Sequence, residues 1–231
     1  MHSQLKIRRH RCGVMRASKG VSDIMKVCTK NVWFLCVIAF FFGSNISVAD
    51  ELERISPARD LPSFSLVDQH GESFEKSSLT SGWSMIFIGF TACPDVCPMT
   101  LSNLEAVRAD MGVKMSPDSI PNIIFLAVDP ARDKVGLAEY LSFFHPRYVG
   151  VTGEVSEVDK LVAGLDGFYR LKKKSDADTN YDVLHTAKVS IINPKGQLVA
   201  QMTPPFKPES TGEQLTQLIR WENRRLTKEQ L

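Results

Sequence analysis

The sequence predicts an α/β chain whose mixed central sheet is flanked by helices, and three features carry that prediction. Two short apolar runs, SMIFIGF at 84–90 and NIIFLAV at 122–128, do not alternate polar with apolar residues, as expected of strands covered on both faces. Each run is followed by apolar residues at helical spacing. Near the end, AKVSIINPKGQLVAQ (187–201) reads as two strands joined at Asn193-Pro194-Lys195-Gly196, a strong turn sequence.

Taken in order, FSLVDQHGESF predicts an N-terminal hairpin turning at Gln69-His70-Gly71. The strand at 84–90 leads to a helix with Leu101, Leu104, Val107 and Met111 on one face. The strand at 122–128 leads to a helix through Leu137, Leu141 and Phe144, stopped by Pro146. YVGVTG (148–153) is a short strand, and Val155, Val158, Val162 and Leu165 mark a helix with Gly164 and Gly167 near its end. The polar stretch KKKSDADTNYD (172–182) reads as a loop. After the two closing strands, Leu215, Leu218 and Ile219 define a last amphipathic helix beginning after Gly212. Strand–helix–strand–helix, then hairpin and helix, implies a parallel pair joined by a right-handed crossover and extended by antiparallel strands. That is the order of a thioredoxin-like fold with an extra N-terminal hairpin.

The first 49 residues differ from the rest. They hold eight of the 28 Lys and Arg but one of the 26 Asp and Glu, together with the apolar run VWFLCVIAFFFG at 32–43. Twelve residues fall short of the roughly 20 that span a bilayer as a helix. A basic start, an apolar stretch and small Ser47 and Ala49 at an A-x-A-like position describe a secretory signal cleaved between Ala49 and Asp50. The segment from Met25 makes a well-proportioned signal by itself, so residues 1–24 read as an overlong start. The alternative is an uncleaved signal anchor holding the domain at an inner membrane. Residues 50–231 are the predicted folded domain, with 20 basic against 25 acidic residues and a net charge of −5. That balance offers no basic footprint for nucleic acid. Three cysteines, Cys12, Cys28 and Cys36, lie in the signal region, leaving Cys93 and Cys97.

These two sit in GFTACPDVCP, in the turn leaving the first buried strand, at the carboxyl end where open sheets bind ligands. Pro98 suits a first helical position. A thiol at a helix N-terminus is expected to have a lowered pKa, and a thiolate is the form that binds metal. If the segment is helical, positions i and i+4 share a face, so both sulfurs address one point. A disulfide between them would close a very small loop and remove little unfolded-chain entropy. Candidates for a third ligand are His70 in the hairpin turn, His145 at a helix end and His185 before the strand AKVSII. Two thiolates and an imidazole suit copper. Zinc would want a fourth ligand, for which Asp95 is the outside candidate. Met99 and Met202 are soft sulfurs that packing also explains.

FTACPDVCPMTL (90–101), VDPARD (128–133), FHPRYVGVTG (144–153) and YDVLHTAKVSIINPKGQLV (181–199) together resemble the Sco/SenC family of copper-binding assembly proteins. The resemblance runs in order from about Phe64 to Gln201. It implies a thioredoxin-like domain facing the periplasm or the mitochondrial intermembrane space, binding one copper ion, Cu(I) or Cu(II), through Cys93, Cys97 and His185. It further implies a part in building the dinuclear copper centre of cytochrome c oxidase subunit II, by delivering copper or by reducing that subunit's cysteines. Asp129 and Arg132 fall on the family's Asp-Pro-x-Arg segment, as a supporting ion pair near the site or a purely structural one. Members often carry Asp before the ligand histidine and His before the first cysteine, where this chain has Leu184 and Ala92. If that Asp orients the imidazole, its loss would loosen His185.

Two functional expectations follow. The first is a periplasmic copper metallochaperone working close to the membrane, with subunit II or a similar copper protein as client and an upstream donor that the sequence does not name. The second is an enzyme, a thiol–disulfide oxidoreductase cycling Cys93 and Cys97. A thiol peroxidase would need a Thr-x-x-Cys type of site, and Thr91 stands only two residues before Cys93.

Overall fold

The computed structural model describes residues 52–175 and 177–229, all within one unit, Ala49–Leu231. The expected signal (1–49), its cleavage after Ala49 and the start at Met25 lie outside the described residues. No helix among the described residues is long and apolar enough to cross a membrane.

Ten strands are described: β1 (Leu52–Asp60), β2 (Ser65–Asp68), β3 (Ser73–Glu75), β4 (Ser84–Gly89), β5 (Asn122–Ala127), β6 (Val149–Thr152), β7 (Tyr169–Leu171), β8 (Val183–His185), β9 (Val189–Ile192) and β10 (Gln197–Met202). The α-helices are α1 (Val96–Lys114), α2 (Pro130–Asp133), α3 (Leu137–Ser142), α4 (Val155–Gly164) and α5 (Pro208–Glu229). Eight strands form one mixed sheet in the order β1-β10-β9-β4-β5-β6-β2-β3. β4, β5 and β6 are parallel neighbours, and every other pairing in this sheet is antiparallel.

The unbroken apolar runs sit where their composition requires. All six residues of β4 are buried, as are five of six in β5, because strands at the sheet centre are covered on both faces. α1 turns Cys97, Leu101, Leu104, Val107 and Met111 inward and packs against α5. The expected hairpin at 69–71 is β2–β3, in which Gly71 has φ +85° and the Asp68 carboxylate accepts the His70 and Glu72 amides. It extends the sheet at one edge.

Four details depart from the sequence expectation. β1 forms the opposite edge although LERISPARD carries Pro57; its register shifts between Arg54 and Arg59, and an edge strand tolerates the missing N–H. The helix expected through Leu137–Phe144 is present as α3 but ends at Ser142, and a separate short helix, α2, precedes it across Gly136 with φ +92°. α5 begins at Pro208, before Gly212, because proline fits a first helical turn. The polar loop 172–182 is flanked by β7 and β8, which pair as a separate two-stranded sheet. His185 therefore ends a strand, opposite Tyr169.

Candidate metal centre

The cysteine turn hangs from the carboxyl end of β4. Cys93 N–H donates to Phe90 O at 3.2 Å, closing the turn, and Asp95 is the residue preceding α1. Cys93 is thus outside the helix, and a shared helical face is not what brings the sulfurs together. The turn does this. Cys97 is the second residue of α1, so its N–H has no intrahelical acceptor, and Cys93 Sγ accepts it at 3.4 Å. Pro98 is the third helical residue, still in the turn where a missing N–H costs nothing.

Buried groups fix this turn from below. The Asp133 carboxylate is fully buried; one oxygen accepts Thr91 N–H at 2.8 Å and Thr91 Oγ1–H at 2.7 Å, and the other accepts Asp129 N–H at 3.0 Å. Burial pushes the Asp133 pKa up, against the pull of these three bonds. Gly89 leaves just enough room: a Cβ there would lie 2.5 Å from Phe125 Cε2 and 3.0 Å from Cys97 Sγ.

The histidine arrives on the β7–β8 hairpin. His185 Nε2 lies 3.6 Å from Cys97 Sγ, and one atom each from Cys93, Cys97 and His185 lie within 4.8 Å of one another. Its Nδ1 is 3.0 Å from Thr186 O; a carbonyl only accepts, so Nδ1 carries the proton and the Nε2 lone pair faces the sulfurs. Phe87 and Phe90 hold the ring edge-on, at 6.2 and 5.8 Å between centroids. Thr186 N–H to Phe168 O (2.8 Å) and Phe168 N–H to Thr186 Oγ1 (2.9 Å) pin the base of the hairpin.

Burial decides protonation here. Cys97 is fully buried, and desolvation pushes its thiol pKa well up, overriding the favourable Phe90 backbone contact. The lowered pKa expected from the helix N-terminus is therefore wrong for Cys97. Desolvation also lowers the His185 pKa, against the Thr186 bond. The pair is a neutral thiol donating toward a neutral imidazole rather than a thiolate–imidazolium pair.

Asp129 and Arg132 form an ion pair, with Asp129 fully buried. Tyr181 O–H donates to Asp129 Oδ1 at 2.9 Å, and Arg132 Nη1 donates to Tyr181 O at 2.9 Å. The guanidinium lies over the Tyr181 ring at 3.8 Å and the Phe90 ring at 5.7 Å. The pair thereby links the cysteine turn, through Phe90, to the segment that carries His185. Asp133, Gly89, Phe87 and Thr186 were not singled out from sequence. Asp133 stands in the VDPARD run, but nothing in its spacing shows a bond to Thr91, 42 residues earlier.

The other candidates stand elsewhere. His70 is exposed in its hairpin turn. His145 Nδ1 accepts the Arg147 amide, and its Nε2 lies 4.0 Å from Glu105 Oε1. Met202 is buried in β10, and Met99 is exposed. Asp95 lines a depression of about 290 Å³ over the site, with Phe90, Cys93, Asp182, Leu184 and His185, and is outside the donor cluster. Two sulfurs and one imidazole suit a soft cation in low coordination.

The SCO1/SenC family model matches residues 53–220. An SCO2-like protein of Rickettsia conorii is 31% identical over 158 residues, 68% of this chain and 74% of that protein. Among solved structures, yeast Sco1 with copper bound is 26% identical with a TM-score of 0.64, covering 70% of this chain and 89% of that one. Bradyrhizobium japonicum ScoI with copper bound is 30% identical with a TM-score of 0.60, covering 68% and 98%. The folds agree, and the matched span contains both cysteines, His185 and all the groups that hold them: this chain belongs to the SCO1/SenC family.

Proposed function

We propose that this protein is an exported copper metallochaperone that binds one copper ion through Cys93, Cys97 and His185. We place it in a periplasm, facing the membrane in which its client sits, with the dinuclear copper centre of cytochrome c oxidase subunit II as destination. The observation that carries the reading is the three-donor cluster, with all three ligand atoms within 4.8 Å. The copper-bound relatives and the basic, apolar leader at 1–49 support it.

The residues do the following work. Cys93, half-buried beside the depression, is the sulfur a donor protein reaches first. Cys97 lies deeper, fully buried, and capture by all three donors displaces the thiol protons. The neutral imidazole accepts the ion without losing a proton, because its Nδ1–H is already held by Thr186. Three soft donors satisfy Cu(I), whereas zinc would want a fourth ligand.

A second reading has its own observation. Cys93 and Cys97 are both free, one partly exposed and one buried, as in a dithiol that attacks a client disulfide and then resolves the mixed disulfide. Two electrons pass to the client, and Cys93–Cys97 becomes the disulfide.

Anaerobic Cu(I) titration of the reduced protein beside His185→Ala separates the two. One copper per chain, bound at least tenfold more weakly by the variant, supports the chaperone. Copper binding indifferent to His185, with disulfide reduction intact, overturns it in favour of the oxidoreductase.

A further inference from the structure

The outer surface of α5 takes no part in the metal site. Leu215, Leu218, Ile219 and Leu226 turn its apolar face into the core. On the opposite side Gln217, Trp221, Arg224 and Lys228 recur at helical spacing as one exposed stripe. Trp221 is 45% exposed, whereas Trp83, the other tryptophan among the described residues, is buried.

Cations gather around this exposed indole. The Arg54 guanidinium, from the edge strand β1, stands over the Trp221 ring at 5.3 Å, and that of Arg225 at 5.9 Å. Arg224 and Lys228 have no ion-pair partner among the described residues, and Arg220 donates to Lys114 O at 2.7 Å. Two acids, Glu222 and Glu229, lie in the same stretch of sequence. Glu222 is buried and paired with Arg225 at 2.8 Å. The cluster sits on a domain whose net charge is −5, so the positive charge is segregated here. Between β1 and α5 a cleft of about 250 Å³ opens, lined by Arg54, Pro57, Trp221 and Arg225, with Glu222 in its wall.

This chemistry selects a partner. Guanidinium groups match phosphate oxygens in pairs. An indole, apolar with one polar edge, settles at the level of lipid headgroups. Cations in a row beside it, on one helix face, hold a helix flat on an anionic bilayer. An acidic protein would also attract the cations, but a protein interface buries a wider apolar centre than a single indole. Arg54 is the third residue of β1, so the cluster lies where the chain enters the fold from its basic, apolar leader.

We propose that the C-terminal half of α5, together with Arg54, is a peripheral membrane-binding surface for anionic phospholipid. Trp221 enters the headgroup layer, and Arg54, Arg224, Arg225 and Lys228 face the phosphates. The surface is separate from the metal site and does not depend on what that site binds. Leu52 pairs with Met202, Met202 with Val189 and Val189 with Phe87, so Arg54 lies toward the end of the sheet that carries the cysteine turn.

Residues 50–231 contain every described strand and helix, so the test uses that domain, free of the leader. Vesicles of phosphatidylcholine with an equal part of phosphatidylglycerol, and of phosphatidylcholine alone, are titrated in at low salt. Co-sedimentation and tryptophan emission are followed; in this domain the emission comes from Trp83 and Trp221. The expected result is co-sedimentation and a blue shift with the anionic vesicles alone, both reversed by added salt. Arg224→Ser with Lys228→Ser removes two exposed cations and should weaken binding roughly tenfold or more. Trp221→Phe should abolish the shift. No binding to anionic vesicles, equal binding to both kinds, unchanged binding by the double variant or a shift that persists in Trp221→Phe each overturns the proposal. Soluble polyglutamate that gives the same shift, lost in the same double variant, also overturns it and makes the surface one for an acidic protein.

Discussion

Gly89→Ala tests the packing under the metal site with a single added carbon. The new Cβ would stand 2.5 Å from Phe125 Cε2, 2.9 Å from Phe125 Cζ and 3.0 Å from Cys97 Sγ. Carbon atoms settle at about 3.5–4.0 Å, so something must yield by roughly 1 Å. Neither neighbour has space to yield into. Phe125 and Cys97 are fully buried, and Phe125 is already pressed between Phe87 and Tyr140. Overpacking of this kind costs about 1–3 kcal/mol. At roughly 2–4 °C per kcal/mol for a domain of this size, the melting temperature should fall by about 2–12 °C. Displacement of Cys97 Sγ should also weaken Cu(I) binding by roughly tenfold or more, since ligand geometry is set to within tenths of an ångström. Gly82→Ala is the control, because a Cβ there meets nothing within 4 Å and its φ of 172° is open to any residue. Thermal unfolding and competition with a chromophoric Cu(I) chelator give both quantities. A Gly89→Ala protein indistinguishable from Gly82→Ala would refute the close fit between Phe125 and the sulfur.

Three further outcomes follow from the same contacts. The raised Cys97 pKa means that above about pH 8.5 the unfolded chain releases a proton that the metal-free fold retains. Cys97 contributes no pH dependence below that pH, and between about pH 8.5 and 10 it should lower folding stability by up to about 1.4 kcal/mol per pH unit, a loss that denaturant unfolding should find reduced in Cys97→Ala. Arg132→Ala strands the buried Asp129 charge and should cost about 3–5 kcal/mol, whereas Arg132→Lys should recover part of it; equal stability in all three proteins would show that the pair does not hold the turn. Leu184→Asp should leave Cu(I) affinity within about twofold, because Leu184 is 45% exposed and Thr186 O already fixes the imidazole; a large gain would show that the backbone bond does not suffice.

The parts of the structure legible in the sequence were those with a period or a spacing. β4, β5 and α1 declared themselves because burial on both faces, or on one helical stripe, is written into consecutive residues. Cys93 and Cys97 were legible as a pair, and His185 as one of three candidate histidines. Long-range polar contacts left no such trace. The Asp133–Thr91 bond spans 42 residues, and the Arg132–Tyr181 contact spans 49. β1 was hidden because an edge strand with a proline and a shifted register need not alternate. The protonation of Cys97 was misjudged because helix position is local in sequence, whereas desolvation depends on what the remainder of the chain stacks over the sulfur. Leu184 shows the converse: where the sequence offers no acidic neighbour for the imidazole, the structure places the Thr186 carbonyl as its acceptor.

The two-stranded sheet β7–β8 gives the site a division of labour in time. The sulfurs belong to the central sheet's own turn, while the imidazole is carried on a hairpin outside that sheet's ladder, 88 residues along the chain from Cys97. An ion held by all three donors is therefore a clasp between two separately built pieces. Opening it at the histidine breaks no pairing of the central sheet: what resists is the hairpin's own hold, through Phe168–Thr186, Arg132–Tyr181, Tyr181–Asp129 and Tyr169–Asp159, and the packing of Tyr181 and Val183 in the core. Undocking that arm would leave the ion on two sulfurs, one of them at the surface, with a coordination position free for an incoming ligand. If copper leaves by that route, its escape would follow the hold on one hairpin rather than the stability of the whole domain.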